Sequence, residues 1–256
     1  ADGFWLQPQQ ALEGHEKGEL FISFPVRETL RVLAEQGFTQ GAETLTRQPY
    51  PHVGGELFKG LHGMALKTPT LPPATTTNCY ILGAQEAVVV DPPSPYAEEQ
   101  RQLLDYLHHL VSTGTKLKEI WLTHHHHDHV GSVEVLRRAF GLKVAAHPHT
   151  AEALAGALAV DRVLGDQEEV PLRINAERTG LWTILHTPGH TRGHLCFYEK
   201  QLGTLISGDL VVGVGTVVIA PPEGQMTDYL SSLRRLLKLK LGLLFPGHGP
   251  PVATAL

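Results

Sequence analysis

Five short apolar runs in this chain each stop at, or just before, a histidine or an aspartate. Val88-Val89-Val90 stops at Asp91 and Ile120-Trp121-Leu122 just before His124; Trp182 to His186 precedes His190, Thr204 to Ser207 precedes Asp209, and Leu243 to Pro246 precedes His248. Runs of about four to eight apolar residues bounded by Gly and Pro read as strands. Further strand candidates are Cys79 to Leu82, Val144 to Ala146 and Leu195 to Tyr198. Between them lie helical patterns: Ala97 to Val111 with Leu103, Leu104, Leu107 and Leu110 on one stripe, Val133 to Phe140, and Asp228 to Lys240 with Leu230, Leu233, Leu236 and Leu237 behind a Thr227 N-cap. Strands alternating with helices specify a layered α/β domain, in which polar side chains at strand ends can converge on one site.

Composition narrows what such a site would serve. The 256 residues carry 21 basic and 26 acidic side chains, a net charge of -5, so no general attraction to polyphosphate is built in, although a local patch could still bind it. Arg234, Arg235, Lys238 and Lys240 follow helical spacing and read as a solvated face or an RNA-binding rim. Cys79 and Cys196 cannot form a disulfide framework, which points to a reducing cytoplasm. No run approaches the ~18 apolar residues that span a bilayer, and Ala1-Asp2-Gly3-Phe4 does not open an export signal. The expectation is a cytoplasmic protein with no membrane association and no obligate protein partner. Residues 1–56 read as an amino-terminal appendage, with a helix starting at Pro8 to Ala11, apolar helical spacing over Val26 to Gln36 and a Pro/Gly-rich linker from Arg47 to Gly55. Residues 57–256 read as the catalytic domain.

The run His124 to His127 lies mid-chain, unlike an affinity tag, and continues into Asp128-His129-Val130-Gly131. On a loop at a strand end, His124, His126, Asp128 and His129 fall close together. Imidazole and carboxylate without thiolate suit zinc, with iron or manganese as alternatives. Four such ligands on one loop suit two ions better than one tetrahedral ion with an open position. More ligands are then required, and His190, Asp209 and His248, each set by a Gly- or Pro-containing turn after a strand, qualify. No Gly-x-Ser-x-Gly nucleophile elbow is present.

His124-His125-His126-His127-Asp128-His129 resembles the His-x-His-x-Asp-His motif of the metallo-β-lactamase superfamily, and His190, Asp209 and His248 match its later motifs in order. The resemblance implies a four-layer αββα sandwich of two mixed β-sheets with helices outside. It implies one metal on His124, His126 and His190, another on Asp128, His129 and His248, and Asp209 as bridge. Two ions about 3.5–4 Å apart bring a shared water to a pKa near 7, giving a bridging hydroxide that Asp128 would align as a catalytic residue. His125 and His127 fall at the skipped positions and are expected at the surface or behind the ligands. His194, the other candidate catalytic residue, is either a proton donor to the leaving group or a hydrogen-bonded residue that steadies the ligands. Asp91 is expected to brace the metal loop from behind, and His147, His149 and His186 to serve packing or surface roles.

Within the superfamily, Thr77 to Gly83, the His124 block, His186 to Thr191, Ser207 to Asp209 and Asp228 through Pro250 resemble the beta-lactamase-like protein 2 group of endoribonucleases. This implies single-stranded RNA as substrate; the related glyoxalase II group implies a thioester or ester. The RNA group continues into a small helical domain after its last metal histidine, whereas this sequence stops at Leu256; that counts against the RNA reading if the domain grips RNA, and a shortened sequence would explain it equally well. Diiron flavoproteins place Glu where His126 stands, and a mononuclear-iron persulfide dioxygenase is a further alternative on the same fold. Trp5 to Ala34 resembles the last strand and helix of a Nudix domain without its catalytic box, since Arg27-Glu28 is followed by Arg31 and Val32.

Overall fold

Alternation along the strands decides which surfaces must be covered. Cys79, Ile81, Ala87, Val89, Ile120 and Leu122 fall in one buried cluster, while their immediate neighbours Tyr80, Leu82, Val88, Val90 and Trp121 fall in another. The same period-two split separates Cys196 and Tyr198 from Leu195 and Phe197, and Leu244 from Phe245. Strands buried on both faces need a second sheet on one side and helices on the other.

A computed structural model describes residues 6–18, 20, 22, 24–47, 54–58 and 60–253 and contains that arrangement. The first sheet has strands β1 (Gly54–Phe58), β2 (Leu61–Lys67), β3 (Thr76–Gly83), β4 (Glu86–Val90), β5 (Lys116–Trp121), β6 (Lys143–Ala146) and β7 (Arg162–Val163), paired in chain order. The second has β8 (Glu169–Arg173), β9 (Thr179–His186), β10 (Leu195–Glu199), β11 (Thr204–Gly208), β12 (Leu243–Pro246) and β13 (Val252–Ala253), in the order β13-β12-β11-β10-β9-β8. Both sheets mix parallel and antiparallel pairs. The helices are α1 (Pro8–Glu16), α2 (Phe24–Arg47), α3 (Ala97–Ser112), α4 (His127–Val130), α5 (Val133–Phe140), α6 (Pro148–Leu154) and α7 (Met226–Leu236). Trp121, Phe197, Ile206 and Phe245 fill the space between the sheets, α3 and α5 cover the first sheet, and Leu236 of α7 packs on the second. The αββα sandwich expected from the sequence is present.

All eight strands read from the sequence are found, with ends shifted by a few residues. β1, β2, β7, β8 and β13 carry no clear apolar run; β8 holds Pro171, which an edge strand tolerates because one side of its backbone lacks a partner. The helix expected over Asp228 to Lys240 instead spans Met226–Leu236, with Gln225 rather than Thr227 at its N-cap. The Gln225 N–H is held by the Gly189 carbonyl at 2.8 Å, which starts the helix two residues early. Leu237 is 84% exposed and leaves the expected stripe, while Leu239 tucks into the core beyond the helix end.

At the amino terminus the helix starts at Pro8, and α2 runs past Gln36 through Gly37, whose φ of 73° breaks the helical path. Arg27 pairs with Glu56 of β1 at 3.1 Å, and His15 stacks on Phe58 with ring centroids 6.0 Å apart. Arg47 ends the helix and Gly54 and Gly55 belong to β1, so the ends of the expected linker are ordered structure; residues 48–53 lie outside the described residues. Of the Nudix-like stretch, Trp5, Glu19, Phe21 and Ser23 also lie outside them. Among the described residues no helix is long and apolar enough to cross a membrane.

The buried His62 of β2 gives this fold a pH dependence of its own. Its Nδ1 accepts the Tyr106 hydroxyl at 2.8 Å, and burial depresses its pKa to about 4, against the pull of Glu56 and with a push from Arg27. An unfolded histidine titrates near 6.5, so below that pH only the unfolded state takes up the proton, and stability falls as pH drops from ~6.5 to ~4. His62→Gln should remove about 2–3 kcal/mol of the stability lost between about pH 7 and about pH 4.5, read by chemical denaturation of metal-free protein. Parallel wild-type and variant profiles would refute this assignment.

Candidate metal centre

The topology brings five strand ends to one edge. β4 and β5 are parallel, β9 and β11 share a direction because both are antiparallel to β10, and β12 is parallel to β11. Their carboxyl ends deliver Asp91, the His124 loop, His190, Asp209 and His248. Hydrogen bonds lock the two sheets together there: Leu195 N–H donates to the Thr123 carbonyl at 2.8 Å, and Asn78 N–H to the Gly247 carbonyl at 2.7 Å. Glycine is required at these turns. A Cβ on Gly247 would overlap Asp209 Oδ1, and one on Gly208, whose φ is +48°, would meet His194 Nε2 at 2.7 Å.

Two groups of ligand atoms face each other across Asp209. His126 Nδ1 lies 3.0 Å from both His124 Nε2 and His190 Nε2. On the other side, His248 Nε2 lies 3.4 Å from Asp128 Oδ2 and His129 Nε2 lies 3.5 Å from Asp209 Oδ1. Asp209 Oδ2 reaches both sides, at 3.3 Å from His248 Nε2 and 3.7 Å from His190 Nε2. His124, His126 and His190 form one group able to hold a cation, and Asp128, His129 and His248 another. The structure therefore gathers all seven residues expected as ligands.

Hydrogen bonds behind the rings set which nitrogens face inward. His190 Nδ1–H donates to the Val218 carbonyl at 2.6 Å and His248 Nδ1–H to the Thr76 carbonyl at 3.0 Å. Asp91 Oδ2 accepts from His129 Nδ1 at 2.9 Å and from the Thr123 hydroxyl at 2.5 Å, while Asp91 Oδ1 accepts Thr123 N–H at 2.7 Å. With its hydroxyl proton committed to Asp91, Thr123 accepts from His124 Nδ1 at 2.9 Å. Four imidazoles are thus held with Nε2 toward the centre, the arrangement by which ligand tautomers are fixed. Asp91 also lies within ligand distance of His124 and His129, but its oxygens already serve three donors on the far side of those rings. Its place is behind the ligands.

Charge divides along the same line. Burial, reinforced by neighbouring imidazoles, holds His124 well below the usual histidine value and brings His126 to about 3; burial also lowers His190, against the pull of Asp209. Burial would depress His129 too, but the carboxylates of Asp209 and Asp91 outweigh it and hold that ring well above its usual value. His248 is raised because its hydrogen bond and attraction to Asp209 overcome burial. Asp209 is held well below the carboxylate range despite burial, by His129 foremost. The histidines whose values are raised are those beside the carboxylates, where a metal cation would meet the same attraction.

A fit to metal follows from this geometry. His129 Nε2 and Asp209 Oδ1 are buried without a hydrogen-bond partner, and three imidazole nitrogens meet where one shared proton cannot serve all of them. Nitrogens on a tetrahedral ion at about 2.0–2.1 Å sit a little over 3 Å apart, close to the spacing here.

His194 is fully buried behind Asp209. Its Nε2 accepts the Asp209 N–H at 3.1 Å, which leaves Nδ1–H for the Thr187 hydroxyl at 2.9 Å. With both nitrogens occupied it has no N–H to offer a leaving group, so the steadying alternative is the one this geometry accommodates. His127 is exposed and His125 half-buried. His147 stacks on His186 with centroids 4.0 Å apart, outside both ligand groups. Arg235 is not simply solvated, since it pairs with Asp166 at 2.9 Å and donates to the His186 carbonyl. The ligand motifs do not point to Thr123 or to the carbonyls of Thr76 and Val218. A hydroxyl at a strand end next to the histidine run is a usable signal for the first; a backbone carbonyl leaves none.

Residues 72–248 match the profile of the Metallo-beta-lactamase superfamily. The chain belongs to this superfamily. It is 32% identical over 181 residues to the beta-lactamase-like protein 2 homolog of Drosophila melanogaster, covering 68% of this chain and 58% of that protein. It is 35% identical over 147 residues to the hydroxyacylglutathione hydrolase of Cereibacter sphaeroides, covering 57% of this chain and 54% of that one. The matched stretch thus spans little more than half of either relative. Among solved structures, TTHA1623 in a di-iron-bound form matches with a TM-score of 0.56 and 29% identity, over 73% of this chain and 94% of that one. The superfamily match and the two ligand groups together give the chain a candidate His/Asp metal centre of dinuclear type.

Asp91→Ala should strand Thr123 and His129 donors in the core. We expect a loss of about 2–5 kcal/mol in the unfolding free energy of metal-free protein and metal affinity weaker by about 10–100-fold, read by denaturation and by competition with a chromogenic chelator. An unchanged affinity would show that Asp91 has no part in orienting the ligands.

Proposed function

We propose that this protein is a dinuclear metallohydrolase acting on esters or thioesters. In this reading His124, His126 and His190 would hold one ion and Asp128, His129 and His248 the other, with Asp209 within reach of both groups. Zinc is the proposed metal, with iron or manganese as alternatives. Two such ions supply an activated water near neutral pH and polarise the bond under attack. Asp128 accepts a hydrogen bond that aligns the attacking water, and His194 fixes the backbone of Asp209 from behind.

One observation carries the choice of substrate. The cavity over the ligands, about 420 Å³, has walls of Pro, Leu, Val, Ala, Thr and Gly beside the exposed His127, and among the described residues no Lys, Arg, Phe, Tyr or Trp side chain lines it. An RNA strand is gripped through phosphates by cations and through bases by aromatic stacking, and outside the ligands this cavity offers His127 alone for either. A carbonyl substrate needs neither. A thiolate, the conjugate base of a thiol with pKa near 8.5, also leaves without a strong proton donor, which suits a site from which His194 is turned away.

Single-stranded RNA is the second reading, supported by the similarity to the Drosophila beta-lactamase-like protein 2 homolog. Zinc-loaded protein should bind about two ions per chain and hydrolyse acyl thioesters, and Asp128→Ala should lower that rate by at least about 100-fold. Cutting of a labelled single-stranded RNA, lost in Asp128→Ala and accompanied by no thioester turnover, would replace the first reading by the second. One iron per chain with oxygen consumption would replace both.

A further inference from the structure

The cavity over the metal ligands is a cleft between two chain segments. One wall is residues 69–74, ahead of β3, where Pro69, Pro72 and Pro73 limit backbone freedom and Leu71 is 67% exposed. The other is residues 212–218, beyond β11, which presents Val212, Val214, Val217 and Val218. The walls approach where a Cβ on Gly215 would stand 3.1 Å from Pro73 Cδ. Leu71 and Val218, 46% exposed, leave apolar surface in water beside a centre built of histidines and carboxylates. The valine wall is also tied to that centre: Gly213 N–H donates to the His248 carbonyl at 2.7 Å, and the Val218 carbonyl accepts from His190 at 2.6 Å.

Resting on the hydrolase reading above, we propose that this cleft takes an uncharged aliphatic acyl chain, so that the substrates are esters or thioesters of short- to medium-chain fatty acids. The ligands at the floor would engage the scissile carbonyl, so what fills the cleft is one of the two groups attached to it, and walls of methyl and methylene surface suit an aliphatic acyl chain. The two segments offer mainly methyl and methylene surface, with the hydroxyls of Thr70 and Thr216 and no Lys or Arg, so an acyl group ending in a carboxylate would be desolvated without a cationic partner on them. Water attacks the carbonyl carbon, the C–S or C–O bond breaks, the acyl group leaves as a carboxylic acid that ionises, and the thiol or alcohol keeps the other proton of that water. The proline-restricted wall gives chain length its effect through burial rather than through ordering of a loose loop.

The test uses thioesters of one thiol carrying acetyl, butyryl, hexanoyl, pentanoyl and succinyl groups. In the metal-loaded protein kcat/KM should rise by about two- to four-fold per added methylene until the cleft is full, and pentanoyl should exceed succinyl, of nearly equal length, by at least about 100-fold. Leu71→Arg, at an exposed position that tolerates substitution, should narrow that last ratio by at least about 10-fold by giving the succinyl carboxylate a cation. A readout without metal or turnover is the amide NMR spectrum of the chelator-treated protein with 1-hexanol, whose shifts should fall in 69–74 and 212–218. Hydrolysis of all chains at similar rates, or a preference for succinyl, would overturn the acyl-chain proposal while leaving the hydrolase reading intact. If no thioester or ester is turned over, the hydrolase reading fails, and hexanol shifts absent from those two segments would sink the cleft assignment as well.

Discussion

Asp91 accepts three hydrogen bonds in the protein interior, from the Thr123 amide, the Thr123 hydroxyl and His129, and the rest of the centre depends on it. A buried carboxylate is tolerated only where donors surround it. Those donors belong to the strand end that carries the histidine loop, so satisfying Asp91 also orients His129 directly and His124 through Thr123. Asp91 itself adopts a φ of 47°, unusual for a residue with a side chain, which turns the chain sharply as it leaves β4. The network that holds the fold together at this edge therefore also aims the ligands.

The same economy recurs on the second sheet. His194 bonds the Asp209 amide, the Thr76 and Val218 carbonyls hold His248 and His190, and Ser232 of α7 donates to the Pro188 carbonyl ahead of His190 at 2.7 Å. Each ligand is steadied by an element remote from it in the chain. The cleft walls share this framework, so the surface that would read an acyl chain and the centre that would cleave it are one mechanical unit. In a low-dielectric interior such connected hydrogen bonds are individually stronger, and breaking one is felt by the others.

Much of this architecture is legible in the residues themselves. Strands buried on both faces appear as unbroken apolar runs, and a histidine or aspartate following such a run names its own place, at a strand end. The edge strands β1, β7, β8 and β13 are less visible because one side of each is unpaired, which admits Pro171 into β8, while β2, paired on both sides, carries His62 and Gly63 among its apolar residues and so shows no unbroken run. The start of α7 departs from the expected Thr227 cap because Gln225 is held by the Gly189 carbonyl, a partner 36 residues upstream whose position no local cap preference reflects. His194 lies four residues from His190, close enough to suggest a shared task, yet the turn between them sends one ring into the cavity and the other behind Asp209.

What the sequence determined by itself was the chemistry of the candidate centre: seven nitrogen- and oxygen-bearing residues able to act as ligands without thiolate, the glycine turns that present them and the layered fold that brings strand ends together. These follow from residue type and short-range periodicity. Tertiary structure alone decided that carboxylates raise His129 and His248 while burial lowers His124, His126 and His190, that His194 faces away from the cavity, and that the cavity is walled by valine and proline with no Lys or Arg among the described residues. Each of these depends on distances between groups far apart in the chain, and electrostatics and desolvation act through distance and burial, which sequence spacing does not encode.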